Sequence, residues 1–467
     1  MNKKSILQIL VAIFLIVFIG MLYVKIKTPT VASPQMNLLL ITLDTTRADH
    51  LGCYGYTRPT SPNLDKLAAG SIQFDLAISQ AAVTPVSHAS IFTGLNPYNH
   101  GLRVLHGLKA NRLVAEHKTL AEIWRDSGGE TAAFVSAFPV TASFGLDQGF
   151  KHFDTNFPQA DGKGLISIEG IVDTAMSQRS SDSTTKSAIE WLNKKADFEM
   201  SLFMWVHYFD PHDPELLPPK EVLDKFKPAS QKEEDRLLAI YDAEIFYMDS
   251  HIGKLLDAFK KRGLRENTIV IVVADHGEGL GDHNWWSHGI LYQEQINVPL
   301  IMHIPNIKGG KRVSSMVSTV DLMPTILEAA KIDPSIWPTM DGNSLLEVMK
   351  IGRTAKQSYV YSDSVNILTY GRPGVSKKFD QKDDKLYSIM DGTYKLIYHQ
   401  LRPNKTEFYN LKTDPNEIIN LADSKPLEMQ VLMRYLKNLD AFSNVMPDMS
   451  SSDLERIEKL KSLGYLQ

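Results

Sequence analysis

Cysteine is almost absent from the sequence, and neither sign of charge is in large excess. The 467 residues include one cysteine, Cys53, which excludes an intrachain disulfide and a cluster of thiolate metal ligands. We expect Cys53 to be a buried small hydrophobic residue. The chain has 50 Lys and Arg residues against 54 Asp and Glu residues, a net charge of −4. Without a basic excess to neutralise a phosphate backbone, nucleic acid is not an expected partner.

The remaining composition is that of a globular protein. Hydrophobic residues make up 43% of the chain and charged residues 22%, which excludes a polytopic membrane protein and a mostly disordered chain. The length is sufficient for a large α/β domain and a smaller one. Because a core of that size is stable without disulfides, the scarcity of cysteine leaves export open.

One uncharged run lies near the N-terminus. Residues 6–24 contain no charged side chain, and a helix of that length spans about 28 Å, close to the hydrocarbon thickness of a bilayer. A buried core helix is a poor alternative because the run is apolar on every face. Lys3 and Lys4 precede the run, so the positive-inside rule places the body of the chain outside the cytoplasm, although Lys25 and Lys27 weaken this argument.

This region is either a cleaved signal peptide or an uncleaved anchor. The nearest small residues, Ala32 and Ser33, lie well beyond the lysines, which favours the anchor. We predict a single-pass protein of a bacterial-type inner membrane, held in the lipid bilayer, with a periplasmic or extracellular main domain. The predicted parts are an anchor at 1–27, a linker at 28–36, a main domain at 37–350 and a C-terminal subdomain at 351–467.

Four apolar runs predict a largely parallel sheet. Such continuous runs are typical of strands buried on both faces. Helical patterns lie between them, and Ser61, followed by Pro62, is expected to cap the first helix. In open α/β sheets the ligand crevice lies beyond the carboxyl ends of the strands. The strand runs are 37–44, 130–137, 201–210 and 267–276, and the helical patterns are 61–70, 119–128, 184–196 and 233–263.

The residues that end three of these runs suit a metal ion. One run ends at Asp44, another at Asp275 and His276, and a third at Asp210. Carboxylate oxygens with one imidazole suit Zn²⁺, Mn²⁺ or Mg²⁺. A single aspartate at a strand end can equally begin a turn or cap a helix, and that alternative stays open for each of them taken alone.

A hydroxyl lies at the start of a predicted helix. Thr84 is followed by Pro85 and by small residues that lead to Gly94. A helix N-terminus presents free backbone N–H groups and the positive end of the helix dipole, which favour an alkoxide or an oxyanion. A threonine hydroxyl needs a base or a metal to become nucleophilic at neutral pH. The alternative is that Thr84 only caps the helix.

Other side chains are candidates for contact with an anionic substrate. Arg47 and Arg103 can each clamp an anion through two hydrogen bonds. Lys220 follows two prolines and is by default a solvated lysine. Trp285 and Trp286 either stack on a sugar or aromatic leaving group or cover the core.

The sequence resembles the sulfatase branch of the alkaline phosphatase superfamily. The similarity follows the family's order over almost all of the chain after residue 36. It implies an α/β fold in which helices sandwich a mixed, mostly parallel central sheet, with a metal at its carboxyl edge and a small C-terminal α+β subdomain. The matching stretches are 38–56, 58–68, 84–101, 206–214, 272–283, 287–301, 318–330 and 408–422.

The sequence departs from this family at the nucleophile. The family has a cysteine or serine that is converted to formylglycine, and Thr84 stands at that position, with His88 in place of an arginine. Threonine cannot be converted in this way. The family's lysine and histidine that serve the hydrated aldehyde are also absent from the corresponding stretch, 132–140. The site therefore resembles those of phosphodiesterases, phosphonate hydrolases and phosphoethanolamine transferases of the same superfamily.

Carried over residue by residue, the resemblance implies one divalent metal ion that turns the Thr84 hydroxyl into an alkoxide. The candidates are Zn, Mn, Mg and Ca, and the resemblance does not choose between them. A second metal is not expected, because the spacing of Asp210 and His212 is shorter than that of dinuclear phosphatases. The implied metal ligands are Asp44, Thr84, Asp275 and His276.

The resemblance also implies how the substrate is held. His212 and His288 match family positions that bind the anion and assist the leaving group, although either is alternatively a structural histidine. The predicted catalytic residues are Thr84, His212 and His288, and the predicted substrate-binding residues are His212, His288 and Arg103.

The last part of the chain has a different pattern. Residues 386–399 and 406–422 alternate like antiparallel strands joined by Asp-Gly and Asp-Pro turns. Residues 426–442 predict an amphipathic helix, and 455–466 predict a terminal helix that docks on the body. The resemblance implies a four-stranded subdomain that packs near the active site.

Three functions are compatible with these observations. The favoured one is an exported, membrane-anchored metallohydrolase that cleaves a sulfate- or phosphate-type ester of a small molecule, glycan or lipid through Thr84, with phosphate or phosphonate esters preferred over formylglycine chemistry. The first alternative is a phosphotransferase acting on an envelope glycan or lipid, although such enzymes usually have several membrane helices. The second is a non-catalytic glycan-binding relative.

Overall fold

The computed structural model describes residues 36–103, 112–157, 178–194, 200–212, 216–352, 359–365, 384–424, 426–439 and 441. The predicted anchor at 1–27 and the predicted terminal helix at 455–466 lie outside these residues, as does the predicted linker except for Met36. Within the described ranges, no helix has the length and apolar character needed to cross a membrane.

A nine-stranded mixed sheet organises the larger part of the chain. Its order is β4-β3-β5-β1-β6-β7-β2-β8, with β9 paired to β2, where the strands are β1 Asn37–Leu43, β2 Ile72–Ile78, β3 Glu130–Phe134, β4 His152–Asp154, β5 Leu202–Tyr208, β6 Thr268–Ala274, β7 Asn297–His303, β8 Lys311–Val313 and β9 Val317–Ser318. Strands β4, β3, β5, β1 and β6 are parallel, and β7 runs antiparallel to both of its neighbours.

The central strands confirm the apolar runs predicted from the sequence. Every residue of β1, β5 and β6 is buried. Because successive side chains of a strand point to opposite faces, this burial means that both faces of the sheet are covered. Leu40 of β1 lies opposite Trp205 on one side and Ile271 on the other. The carboxyl ends of β1, β5 and β6 therefore meet at one edge of the sheet.

Eleven helices are described around the two sheets. The four helical patterns of the sequence are confirmed as α1, α4, α5 and α7, and α4 begins with a capping box between Thr119 and Glu122. The helices are α1 Pro62–Ala69, α2 Thr84–Thr93, α3 Pro97–His100, α4 Leu120–Asp126, α5 Ser181–Lys194, α6 Lys220–Leu223, α7 Glu233–Lys261, α8 Gln293–Ile296, α9 Leu322–Ala329, α10 Leu346–Ile351 and α11 Leu427–Asn438.

Two expectations for single residues were wrong. Ser61 makes no side-chain cap on α1, because its hydroxyl donates to Asp65 and accepts from the backbone N–H of Gly52. Asp249 of α7 caps α1 instead, accepting from the N–H groups of residues 63 and 64 at 2.9 and 2.8 Å. Cys53 is half-buried rather than fully buried.

A four-stranded antiparallel sheet forms the C-terminal part, as predicted. Its order is β10-β11-β12-β13, where the strands are β10 Val360–Ser364, β11 Leu386–Met390, β12 Tyr394–His399 and β13 Glu407–Asn410. The β11–β12 turn forms because Gly392 adopts φ +85° and Asp391 accepts from the N–H groups of Thr393 and Tyr394. Helix α11 packs on β11 and β12, with Leu432 and Leu436 buried.

Candidate active site

The hydrogen-bond ladder of the large sheet continues one residue past β1 and β6. The N–H of Asp44 donates to the carbonyl of Tyr208 at 2.9 Å, and the N–H of Asp275 donates to the carbonyl of Leu43 at 3.2 Å. The chain then turns at Thr45, which has φ +48° and donates its N–H to Asp275 Oδ1 at 3.2 Å. The two aspartates are thereby held side by side at the carboxyl edge.

Three predicted metal ligands come together at this point. One ligand atom from each of Asp44, Asp275 and His276 lies within 4.8 Å of the others, and all three residues are buried. Asp44 Oδ1 and Asp275 Oδ2 have no hydrogen-bond partner among the described residues. The Nδ1–H of His276 donates to the carbonyl of Gly277 at 2.9 Å, which leaves the Nε2 lone pair available. These donors fit a divalent cation.

The electrostatics of the group also favour a bound cation. Burial raises the pKa of Asp44 well above its ordinary value, and a hydrogen bond from Thr84 opposes this shift. Burial and the charge of Asp44 raise the pKa of Asp275. Burial and the neighbouring His288 lower the pKa of His276. Two carboxylates buried side by side are costly unless a positive charge offsets them.

Thr84 lies beside this group. It is the first residue of α2 and is fully buried. Its Oγ1 lies 3.1 Å from His276 Nε2, the nitrogen that bears the lone pair. The hydroxyl can therefore donate its proton to Nε2, or the lone pairs of Oγ1 and Nε2 can both face one cation. The predicted nucleophile and the predicted metal ligands thus share one site.

The other predicted catalytic residues, His212 and His288, lie next to each other near His276. His212 Nε2 is 3.2 Å from His288 Nε2, and the rings of His276 and His288 are 4.5 Å apart. The Nδ1–H of His288 donates to the carbonyl of Ala82 at 3.0 Å, and burial lowers the pKa of His288 to about 4. Trp285 is buried and donates its Nε1–H to the carbonyl of His288 at 3.0 Å.

Both candidate anion-clamping arginines take part in ion pairs with aspartates. Arg103 Nη2 lies 2.7 Å from Asp363 Oδ2, in β10 of the small sheet. Arg47 contacts Asp49 at 2.6 Å and Asp282 at 2.8 Å. The predicted substrate contact of Arg103 stays a prediction, and in this structure its guanidinium links the segment after α3 to the small sheet.

Two other candidate side chains, those of Asp210 and Lys220, make contacts with neighbouring residues of the protein. Asp210 accepts from the backbone N–H of Ser181 at 3.0 Å and from its hydroxyl at 2.5 Å, and therefore caps α5. Burial raises the pKa of Asp210 to about 6. The side chain of Lys220 is 83% exposed and pairs with Asp224 at 2.7 Å, as expected for a lysine in contact with solvent.

Two buried histidines contact the site although the sequence analysis assigned them no role. The Nε2–H of His207 donates to Asp44 Oδ2 at 3.2 Å, while its Nδ1 accepts from the N–H of Ser136 at 3.4 Å. The Nδ1–H of His88 donates to the carbonyl of Thr84 at 2.8 Å and lies 3.6 Å from Asp275 Oδ2. The signal for His88 was its i+4 spacing from Thr84 on a helix. His207 lies inside an apolar strand and gave no such signal.

Two family models match the chain, and both describe sulfatases. The sulfatase model matches residues 36–332. The model of the C-terminal region of N-sulphoglucosamine sulphohydrolase matches residues 281–443.

Relatives with known names are similar over most of the chain. An arylsulfatase of Clostridium perfringens is 25% identical in an alignment 474 positions long, which covers 86% of this chain and 93% of the relative. An N-acetylglucosamine-6-O-sulfatase of Bacteroides thetaiotaomicron is 22% identical over 473 residues, which cover 82% of each chain.

Solved structures share the fold. A protein in complex with its substrate D-glucosamine-2-N,6-O-disulfate superposes with a TM-score of 0.67 and 22% identity, over 86% of this chain and 97% of that one. The phosphonate monoester hydrolase of Agrobacterium radiobacter superposes with a TM-score of 0.66 and 20% identity, over 86% and 94%. Because the sulfatase model spans more than half of the chain, this protein belongs to the sulfatase family, whose members are sulfate ester hydrolases.

Proposed function

We propose that the protein is an exported, membrane-anchored hydrolase that cleaves a phosphate, phosphonate or sulfate ester through the hydroxyl of Thr84. The observation that carries this proposal is the 3.1 Å distance from Thr84 Oγ1 to His276 Nε2, which puts the hydroxyl in the buried metal-binding group. Among the described residues, one oxygen each of Asp44 and Asp275 in this group has no hydrogen-bond partner. A hydroxyl beside a cation held there would lose its proton more easily, which is what a threonine nucleophile needs.

The residues of the site fit one divalent cation. Asp44, Asp275 and His276 would hold it, with Thr84 alongside. Such an ion would supply the positive charge that stabilises the deprotonated hydroxyl of Thr84. Carboxylate and imidazole ligands bind Zn²⁺, Mn²⁺, Mg²⁺ or Ca²⁺. These ligands therefore do not select one of the four ions, and the availability of each ion decides which one is bound.

The chain's own residues then account for two displacement steps. The Thr84 hydroxyl would release its proton to solvent when the cation binds; Oγ1 then attacks phosphorus or sulfur, and the bond to the leaving oxygen breaks, which yields an ester of Thr84. His212 and His288, whose Nε2 atoms are 3.2 Å apart, contact the anion. His212 delivers a proton to the leaving oxygen and takes one back from the attacking water, because His288 keeps its proton on Nδ1, bonded to Ala82. Water then attacks the Thr84 ester, releases the anion and restores the hydroxyl.

The preference for phosphorus esters comes from the nucleophile. Threonine cannot become the hydrated aldehyde of formylglycine sulfatases, so Thr84 must act as a plain alcohol. The similarity of fold to a phosphonate monoester hydrolase supports a phosphorus ester. The named sulfated-sugar substrates and activities of other relatives support a glycan as the leaving group. The anchor and the extracytoplasmic location rest on the sequence of residues 6–24.

The proposal is tested with three forms of the protein on four ester classes. Wild type, Thr84→Ser and Thr84→Ala are assayed on aryl sulfates, phosphate monoesters, phosphodiesters and phosphonates. We expect Thr84→Ala to lose at least about a thousandfold in kcat/KM on the best substrate, because the covalent step is removed. Thr84→Ser keeps the hydroxyl and is expected to retain measurable activity. Unchanged turnover by Thr84→Ala would remove Thr84 from the mechanism.

A further inference from the structure

The stretch that follows the metal ligands forms one closed loop. Residues 277–296, called here the site loop, begin directly after His276 and carry His288. The N–H of Gly277 donates to the carbonyl of Gln295 at 2.8 Å, so the two ends of the loop are tied together. A Cβ atom at position 277 would collide with the loop's other end, which shows how closely the two ends pack. A shift of one end therefore moves the other.

The segment that follows β13 holds this loop through Glu417. The carboxylate oxygen Oε2 of Glu417 accepts from the backbone N–H of Gln293 at 2.6 Å, at the start of α8. The carbonyl of the same residue accepts from His283 Nε2 at 3.3 Å. His283 stacks on Tyr292 at 3.7 Å and 3°. Glu417 thus contacts two separate parts of the site loop.

Glu417 is itself firmly placed. Its Oε1 lies 2.7 Å from Lys395 Nζ of β12, and both side chains are completely buried. Its backbone has φ +55°, a region that non-glycine residues adopt at a cost and keep only where the surroundings enforce it. A buried ion pair is weak evidence for stability. Its placement against an active-site loop therefore points to a role in positioning.

We propose that Glu417, held by Lys395, is a positioning residue that sets the site loop, and with it His288, in the geometry for catalysis. The proposal rests on the proposed function only in giving His288 a role in the reaction. The contact that transmits the positioning is the hydrogen bond from the N–H of Gln293 to Glu417. If the pair only stabilised the small sheet, this hydrogen bond would have no effect on turnover.

This hydrogen bond can be removed by a change at Gln293 alone, with Lys395 and Glu417 kept in the chain. Gln293 is the first residue of α8, where proline is tolerated. Tyr292 before it has φ −77° and ψ 163°, a conformation that a following proline accepts. Gln293→Pro therefore deletes the N–H donor and turns a ring carbon towards Glu417 Oε2, so that the contact is broken. The control Gln293→Ala shortens the side chain and keeps the donor.

The loop is followed directly by fluorine NMR. The protein has six tryptophans, of which Trp285 and Trp286 lie in the site loop, and Trp285 bonds to the carbonyl of His288. Protein labelled with 5-fluorotryptophan gives one signal per tryptophan, and Trp285→Phe and Trp286→Phe variants assign the two loop signals. This measurement needs neither a metal nor a substrate, so its outcome is independent of whether Thr84 is the nucleophile.

In the full-length protein, Gln293→Pro should shift or broaden both loop signals and leave the other four in place. Its kcat on the best aryl ester should fall about tenfold to a hundredfold, with a smaller change in KM, because a displaced catalytic group costs that much. Gln293→Ala should resemble wild type. Wild-type signals and wild-type kcat in Gln293→Pro would overturn the proposal, as would equal effects of the two variants.

A second pair of variants approaches the same contact from the other side. Lys395→Met with Glu417→Gln removes both charges and keeps an acceptor oxygen for Gln293, whereas Lys395→Met with Glu417→Met removes the acceptor as well. The first double variant should keep the loop signals and kcat within about threefold of wild type, and the second should reproduce Gln293→Pro. Loss of kcat to the same extent in both would show that the ion pair is structural and would overturn the proposal.

Discussion

Thr84 Oγ1 lies 3.1 Å from His276 Nε2, although the two residues are 192 positions apart in the chain. The contact depends on two separate local structures. Strand β6 delivers His276 to the carboxyl edge of the sheet, and α2 presents Thr84 at its first residue. The Nδ1–H bond from His276 to Gly277 fixes the tautomer that leaves Nε2 as an acceptor. A buried hydroxyl thereby meets the lone pair of a histidine that is grouped with Asp44 and Asp275.

The first prediction concerns the metal. Purified wild type should contain about one divalent ion per chain, and Asp275→Asn should contain almost none, since it removes an anionic ligand. Burial and Asp44 raise the pKa of Asp275, so the neutral amide relieves a repulsion. When both proteins are stripped of metal by a chelator, Asp275→Asn should have the same melting temperature as wild type or a higher one. Elemental analysis after gel filtration and thermal melts measure these two quantities.

The matched control for this experiment is Asp210→Asn. Asp210 lies at the end of the neighbouring strand but caps α5, so this variant should keep its metal and lose some stability. Full metal content in Asp275→Asn would contradict the site, and so would loss of the metal in Asp210→Asn alone.

The second prediction concerns His207. Its Nε2–H bond to Asp44 Oδ2 turns the other oxygen of Asp44 towards the metal site. His207→Phe removes the donor and should weaken the affinity for the metal about tenfold to a hundredfold, the usual cost of losing such an outer contact. His207→Gln can donate from its amide and should lose less. Competition with a fluorescent chelator measures the affinity, and equal affinities in wild type and His207→Phe would refute this role.

The parts of the site that follow from strand ends could be predicted from the sequence. Asp44, Asp275 and His276 end continuous apolar runs, and the carboxyl ends of parallel strands meet at one edge. His207 could not be predicted in the same way. It is one polar residue inside a buried strand, and its contact with Asp44 depends on the register in which His207 lies opposite Thr42. Register between strands far apart in sequence is not encoded by either run alone.

The prediction that Ser61 caps α1 was wrong for a related reason. A serine before a proline at a helix start is a good local signal, and Ser61 has that position. The long helix α7 brings Asp249 to the same N–H groups from 185 positions away, and a carboxylate is the stronger acceptor for them. Tertiary contact therefore overrides local capping preference here.

The third prediction follows from that cap. Asp249→Ala leaves the N–H groups of Asn63 and Leu64 without their acceptor and should lower the free energy of unfolding by about 1–3 kcal/mol. Hydrogen exchange of the peptide that covers α1 should become faster. In Ser61→Ala the exchange of that peptide should stay as in wild type, since Ser61 makes no cap. The reverse pattern would restore Ser61 as the cap.

The last prediction is a pH dependence that arises at the site loop. Burial lowers the pKa of His283, but its hydrogen bond to Glu294 and the charge of Glu294 outweigh this, so that the pKa lies above its ordinary value of 6.5. A raised pKa means that protonated His283 contributes stability that is complete below about pH 6.5 and is lost as the pH rises through the folded-state value. His283→Gln keeps a donor for Glu294 without the charge.

The difference in unfolding free energy between wild type and His283→Gln should therefore be largest at pH 5.5–6.5 and should shrink steadily towards pH 8.5. Urea denaturation at a series of pH values measures it, and taking the difference at each pH cancels the titration of groups that both proteins share. Above the folded-state pKa, His283 is neutral, and the stacking on Tyr292 and the Glu294 hydrogen bond are what remains. A difference that stays constant over this range, or grows with pH, would show that His283 is not charged in the native loop.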